Sequence, residues 1–412
     1  MRGVKLGAGA GICEDRPNLR CEDDYGRAGL AVENVDGRVL SIVDKTNAND
    51  SLQPLFADLH VHIGRSGDGH PIKISGSRDL TFRSIAEEAS DRKGISLIGI
   101  IDAHSPPVQE DILRCLDTGE MEEVAGGGIR YRDTVIVLGA EMEIREEGGG
   151  PFHLLGYLPN LAAMQEWTEW MRPRMKNVTL SSQRIRVTAR ELQEELLARG
   201  GLLVPAHVFT PHRGLLGCSA DRLADRLDPE GIAAIELGLS SNTDMASRIS
   251  ETDRYPFLTN SDAHSTGMIG RECNEIAVAE PSFEELSRAL RNEDGRRIVA
   301  NYGLHPQLGK YHTNVADRID RLADRGTAPE STARPLYREQ VPLNFFPGIG
   351  PVLKEKLHDE VGTEMDILHR VPRHALEAAA GEKIAELIWR AREGKLAFIP
   401  GSGGKYGRLA QS

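Results

Sequence analysis

Short apolar runs that end in His, Asp or Glu recur through residues 56–278, and that recurrence leaves few folds open. The runs cover 56–63, 97–101, 135–138, 152–157, 202–205, 233–236, 257–259 and 275–278. Helical periodicity fills the intervals 80–92, 162–171, 189–198 and 282–291. Strand-then-helix repetition at this spacing predicts an α/β fold with a parallel sheet or barrel. Eight strand candidates in about 250 residues favour a barrel over an open sheet.

The polar residues that close the strands carry the chemistry. Asp58-Leu-His60-Val-His62 ends the first run, Asp102-Ala-His104 follows the second, and Glu141-Met-Glu143 follows the third. His153 lies in the fourth, Pro205-Ala-His207 ends the fifth, and Ser261-Asp262-Ala-His264 ends the seventh. Alternation puts His60 and His62 on one strand face, about 6–7 Å apart. In parallel barrels the C-terminal strand ends share one mouth, so these side chains converge there. Imidazole and carboxylate together suit Zn²⁺, Mn²⁺ or Fe²⁺, while Mg²⁺, which prefers oxygen, is the weaker candidate. Two or three such ions side by side can hold a phosphodiester, activate water and stabilise the leaving oxygen. Glu141 has the central position that a bridging carboxylate needs. Arg271 has the guanidinium geometry for pairing with a phosphate. His212, just beyond His207, is a candidate for the wall of the site. His70, His305, His358, His369 and His374 lack the strand-end context and are assigned to surface or packing, and His312 falls at the domain junction.

Composition narrows the classes. The chain is 40% hydrophobic and 27% charged, which excludes a coiled coil and a wholly disordered chain. It has no run of about 18 apolar residues and no charged-then-apolar leader, so a cytoplasmic protein is expected. Its five cysteines include no Cys-x-x-Cys pair, so neither a disulfide framework nor a zinc ribbon is supported. The net charge of −12 is uneven: residues 301–412 carry 16 Lys/Arg against 14 Asp/Glu. Nucleic acid, if bound, would therefore be held by the tail, and cations by the acidic remainder.

Three segments are expected: a flexible extension at 1–54 with a weak strand at 39–43, a barrel at 55–312, and a helical domain at 313–412. Within the last, 316–325, 352–358 and 375–392 read as helices and the proline-rich 327–342 as a linker.

The strand-end motifs resemble those of the polymerase and histidinol phosphatase (PHP) superfamily. That resemblance implies a distorted seven-stranded β/α barrel with a trinuclear metal site that hydrolyses phosphoesters. It makes His60, His62, His104, Glu141, His153, His207, Asp262 and His264 metal ligands, and Asp102 a residue that orients an imidazole. The superfamily often has a further histidine shortly after His-x-His. Ser66, Gly67 and Gly69 stand there, so one metal would be bound differently.

Phe209-Thr-Pro211, Glu236-Leu-Gly-Leu-Ser240-Ser241, Asn260 to Ser265, Gly270-Arg271-Glu272 and Gly303 to His312 are similar to endonuclease Q. Members of that family nick DNA 5′ to deaminated bases such as uracil and hypoxanthine. Ser240, Ser241 and Asn242 then become candidate contacts to a flipped base or its backbone. The family's cysteine zinc module, usual after Lys-Tyr-His, is missing: Lys310-Tyr-His312 runs directly into a helical stretch, and no Cys follows Cys273.

In the tail, Phe346-Pro-Gly348-Ile-Gly350-Pro matches the hairpin of a helix-hairpin-helix. Glycines at 348 and 350 let backbone N–H groups approach a phosphate where the next helix begins. Lys354 and Lys356 add charge there. Pro342 leaves little room for a long first helix. The combined expectation is a metal-dependent endonuclease acting on damaged DNA. The alternative is a phosphoesterase that uses the same site on a small metabolite.

Overall fold

The computed structural model describes residues 52–329, 334–401 and 404–410. The expected strand at 39–43 and nearly all of the 1–54 extension lie outside them. The strands are β1 (Gln53–Val61), β2 (Leu97–Ile100), β3 (Glu122–Glu123), β4 (Ile129–Tyr131), β5 (Thr134–Ile144), β6 (Phe152–Leu158), β7 (Leu202–Pro205), β8 (Ile235–Glu236), β9 (Phe257–Leu258), β10 (Cys273–Val278), β11 (Arg297–Gly303) and β12 (Leu336–Glu339).

Seven of them close a distorted barrel. β1, β2 and β5 pair in parallel, whereas β5–β6 and β6–β7 pair antiparallel. β7 reaches β8 through Ala233 N–H to Leu203 O at 2.9 Å, and β8 pairs in parallel with β9. The chain after β9 returns to β1 at the parallel bridge between Val61 and Ala263. Beyond the barrel, β10 and β11 extend the sheet from β1 in antiparallel fashion. The barrel expectation holds, but the sheet is mixed rather than parallel. The four helices expected between the runs all form, and a short loop joins the antiparallel strands β5 and β6 directly.

Alternation explains both the core and the site. Leu55, Ala57, Leu59, Val135, Val137, Leu155, Tyr157, Val204, Ala234 and Leu258 form one buried cluster, contributed by alternate strand positions. Their neighbours Phe56, Ile98, Ile100, Ile136, Leu138, Leu154, Leu203 and Ile235 pack in the other cluster, against the helices. Continuing the first parity upward gives Glu141 and Glu143 on β5, His153 on β6, Glu236 on β8 and Asn260 after β9. The interior is thus apolar below and polar at one mouth. On β1 the register shifts between Asp58 and Val61, and that irregularity turns His60 and His62 toward the same mouth.

The surrounding helices begin where capping residues stand. α1 (Phe82–Glu87) is capped by Thr81, α3 (Leu161–Met171) by Asn160, α4 (Ala189–Ala198) by Thr188, α5 (Thr243–Ala246) by Asn242 and α6 (Phe283–Leu290) by Ser282. α2 (Pro106–Asp117), absent from the sequence expectation, starts with proline at its first position, where the missing N–H costs nothing.

The expected linker is partly a strand: β12 pairs in parallel with β11, Tyr337 opposite Asn301. α7 (His312–Leu322) precedes it, and α8 (Pro351–Glu360), α9 (Arg373–Ala380) and α10 (Glu382–Arg392) follow. The single helix expected at 375–392 breaks at Gly381, whose φ of +81° suits glycine. Ahead of α8 stands only the 3-10 turn Leu343–Phe345, so a helix-hairpin-helix has no long first helix here. The short strands β13 (Phe398–Ile399) and β14 (Arg408–Leu409) pair near the end of the chain. A buried ion pair ties the helical part to the barrel: Lys93 Nζ lies 2.6 Å from Glu364 Oε2. Among the described residues, no helix is long and apolar enough to cross a membrane.

Candidate metal centre

Two groups of donor atoms meet at the polar mouth. His60, His62 and Asp262 form one, and Glu141, His153 and His207 the other, each with its atoms within 4.8 Å of one another. Glu141 joins them. Its Oε1 lies 3.6 Å from His60 Nε2 and 3.5 Å from His207 Nε2, and accepts a hydrogen bond from His153 Nδ1 at 2.7 Å. Its Oε2 lies 3.6 Å from His62 Nε2. Asp262 Oδ1 is 3.5 Å from both His60 Nε2 and His62 Nε2.

These separations suit ligands around a shared ion. Donors about 2.0–2.2 Å from one metal stand roughly 3–3.6 Å apart. His60 Nε2 is fully buried and has no hydrogen-bond partner, an arrangement that is costly unless something else binds it. The donor set of nitrogen and oxygen therefore fits a divalent cation.

The rings are aimed by buried carboxylates. Glu236 accepts from His60 Nδ1 at 2.9 Å, from the His207 backbone N–H at 2.8 Å and from Asn260 Nδ2 at 3.1 Å. Asp102 accepts from His62 Nδ1 at 3.1 Å and from the Ile63 N–H at 2.8 Å. Both bonds turn Nε2 toward the pocket, where that of His60 has no partner and that of His62 lies 3.1 Å from Lys73 Nζ. Asp58 instead ties loops, accepting from Ser261 N–H at 3.0 Å and Gly270 N–H at 2.8 Å. His207 and Asp262 hold φ of +30° and +46°, unusual for residues with side chains and a common mark of functional positions.

Electrostatics agree with the geometry. Burial pushes the Glu141 carboxyl up, but His153 and Lys73 outweigh it and hold the group well below the usual range. Asp262 is held down likewise, against burial, by His60 and His62. Burial lowers His60, yet Glu236, Asp262 and Glu141 raise it to about 10. Burial and His62 together take His264 down to about 4. The carboxylates are thus ionised, and a cation bound by His60 would displace the proton that this ring holds.

The mouth opens into a cavity of about 430 Å³, whose wall includes Lys73, His212, Arg213, Ser240, Lys310, Tyr311 and Tyr406. Of the expected residues outside the two groups, His264 lines this cavity and its ring stands 4.7 Å from that of His62. His104 is buried beside the centre and belongs to neither group.

Three sets of expected residues are engaged elsewhere. Arg271 is not in the cavity wall: its Nε donates to Ser261 O at 2.7 Å and its Nη1 to the Tyr406 hydroxyl at 3.0 Å. Ser241 is buried and donates to Leu237 O, and Asn242 caps α5, so only Ser240 of that trio lines the cavity. Lys354 Nζ lies 3.6 Å from the buried Glu364, and Lys356 Nζ donates to Ala379 O at 2.7 Å. Gly348 and Gly350 remain exposed in the turn before α8.

Several contributors carried little or no sequence signal. Glu236 stands in the sequence reading only as the start of a motif, yet it ends a strand as the other acids do, and the same rule could have given it a place at the site. Lys73 and Ser182 come from loops, and Tyr406 arrives from the distant tail.

A family model described as PHP-associated matches residues 241–294. The uncharacterised Bacillus subtilis protein YqxK is 44% identical over 387 residues, which cover 87% of this chain and all of that protein. The lesion-specific endonuclease PfuEndoQ from Pyrococcus furiosus has a similar structure, with a TM-score of 0.75 and 29% identity over 87% of this chain and 95% of that one. An endonuclease Q bound to a 27-mer duplex with an abasic lesion at its active site gives a TM-score of 0.76 at 29% identity, again over 87% of this chain. The fold, the bridged donor groups and these matches place the chain in the PHP superfamily of metallohydrolases. Within it, the chain belongs to the family of the Bacillus protein and has the architecture of endonuclease Q.

Proposed function

We propose that this protein is a metal-dependent endodeoxyribonuclease of DNA repair that nicks 5′ to deaminated bases (uracil, hypoxanthine, xanthine) or abasic sites. The observation that carries the reading is the pair of donor groups bridged by Glu141 at the floor of a cavity, on an endonuclease Q architecture. His60, His62, Glu141 and Asp262 would hold one ion, and Glu141, His153 and His207 another, with His104 and His264 beside them. Zn²⁺, Mn²⁺ or Fe²⁺ suits these donors, and Mg²⁺ is admitted as a weaker ligand partner. Such ions polarise phosphoryl oxygens and make water more acidic.

The chain's own residues do the rest. Glu236 and Asp102 keep the imidazoles aimed. Lys310 and Arg213 offer positive charge to the backbone of a strand entering the cavity. Ser240 offers a hydroxyl. Tyr311 offers a ring to a base that has left the stack, while the Tyr406 ring carries Lys310 and Arg271 over it; a damaged base leaves more cheaply than a paired one. The exposed Gly348–Gly350 turn is suited to a distant phosphate.

A second reading, hydrolysis of a small phosphorylated metabolite, is favoured by the missing cysteine module and the net charge of −12. The test uses end-labelled duplexes carrying one uracil, hypoxanthine or abasic site, an undamaged control and a simple phosphate ester. A single nick 5′ to the lesion supports the endonuclease. Turnover of the ester with every duplex left intact supports the second reading instead.

A further inference from the structure

One basic side chain stands among the donors, and its task follows only if the metal-centre reading above is right. Lys73 comes from the loop after β1, where its N–H donates to Ile63 O at 2.9 Å. Its Nζ donates to Ser182 Oγ at 2.6 Å and lies 3.1 Å from His62 Nε2 and 3.4 Å from Glu141 Oε2. Ser182 Oγ in turn donates to the same Oε2. The two oxygens of Glu141 therefore differ. Oε1 faces His60, His153 and His207, whereas Oε2 faces His62, Lys73 and Ser182.

The two other imidazoles expected as ligands, His104 and His264, join neither donor group. Lys73 and Ser182 both donate to Oε2, so its lone pairs are already committed, and Oε1 is the oxygen of Glu141 left to bridge the two donor groups. Lys73 also lines the cavity, where an anion enters.

We infer that the centre holds two divalent cations, and that the Lys73 ammonium is a built-in third positive charge which pairs with an oxygen of the bound phosphate. An ammonium does this as a compact point charge with several donors. Unlike a third metal ion, it cannot be lost to a chelator.

The test is equilibrium dialysis of the full chain against Mn²⁺, with the bound metal counted by mass spectrometry. Calorimetric titration with inorganic phosphate follows, on wild type, Lys73→Met and Lys73→Arg. Two equivalents per chain are expected in wild type, with phosphate binding about tenfold weaker in Lys73→Met and partly restored in Lys73→Arg. Three equivalents in wild type overturn the inference and leave the metal-centre reading standing. Unchanged phosphate affinity in Lys73→Met overturns it as well. Fewer than two equivalents in wild type overturn the metal-centre reading itself and the inference with it. The wild-type count decides the first half even if Lys73→Met does not fold.

Discussion

Replacing Glu236 by Gln isolates the support beneath the metal centre, because Glu236 reaches the cavity's edge without being one of the grouped donors. Its carboxylate accepts three hydrogen bonds, from His60 Nδ1, the His207 N–H and Asn260 Nδ2. Glutamine has the same size but offers one acceptor and one NH₂. In any orientation the NH₂ faces at least one of those donors, and the charge that fixes the His60 tautomer is gone. Loss of such a partner typically costs 10–100-fold in metal affinity, or about 1.4–2.8 kcal/mol. The assay is competition between the protein and a chromophoric chelator for Zn²⁺ or Mn²⁺ at constant pH. Circular dichroism of both proteins checks that the fold survives. We expect a Kd at least about tenfold weaker in Glu236→Gln, from the lower edge of that range. A Kd within about twofold of wild type, with the fold intact, would refute the claim that Glu236 orients the ligands.

Three further outcomes follow from the structure. Lys93→Met leaves the buried Glu364 carboxylate without its 2.6 Å partner and should cost about 3–5 kcal/mol in urea unfolding, whereas Lys93→Met with Glu364→Leu should recover most of that. His369 packs on Tyr302 and Phe56, its Nε2–H donates to Gln340 Oε1, and burial together with nearby arginines lowers it from 6.5 to about 3. A depressed histidine contributes stability that is complete above the unfolded value and is lost as pH falls from 6.5 toward 3, so His369→Phe should flatten the acid limb of the stability profile in that window. Tyr311→Ala removes an aromatic ring from the cavity wall and should weaken binding of a lesion duplex by about 5- to 100-fold, measured by fluorescence anisotropy, while leaving hydrolysis of a small ester intact.

Most of the barrel was legible because strands buried on both faces read as short apolar runs, and all eight expected runs became strands. β11 escaped because Arg297, Asn301 and Tyr302 break its apolar pattern. β12 escaped because an exposed edge strand needs no apolar pattern at all. Six of the eight expected ligands meet in the two groups, and they were legible because polar residues interrupt apolar sequence at the rim of the barrel. Lys73 and Tyr406 had no such context, since their positions depend on loop and tail packing that no local spacing encodes. The contacts of Arg271 were not legible, because a guanidinium that holds a carbonyl and a tyrosine hydroxyl looks, in sequence, the same as one that holds a phosphate.

The central claim is that the bridged donor groups make a metal centre that cuts DNA. Its most direct test is a nicking assay on a uracil or hypoxanthine duplex, using protein stripped of metal with a chelator and then reloaded with Mn²⁺, beside Asp262→Asn. The account predicts no cleavage by stripped protein, a single 5′ nick after reloading, and no cleavage by Asp262→Asn even though it still binds the duplex. Full cleavage by the stripped protein, or by Asp262→Asn, would contradict it.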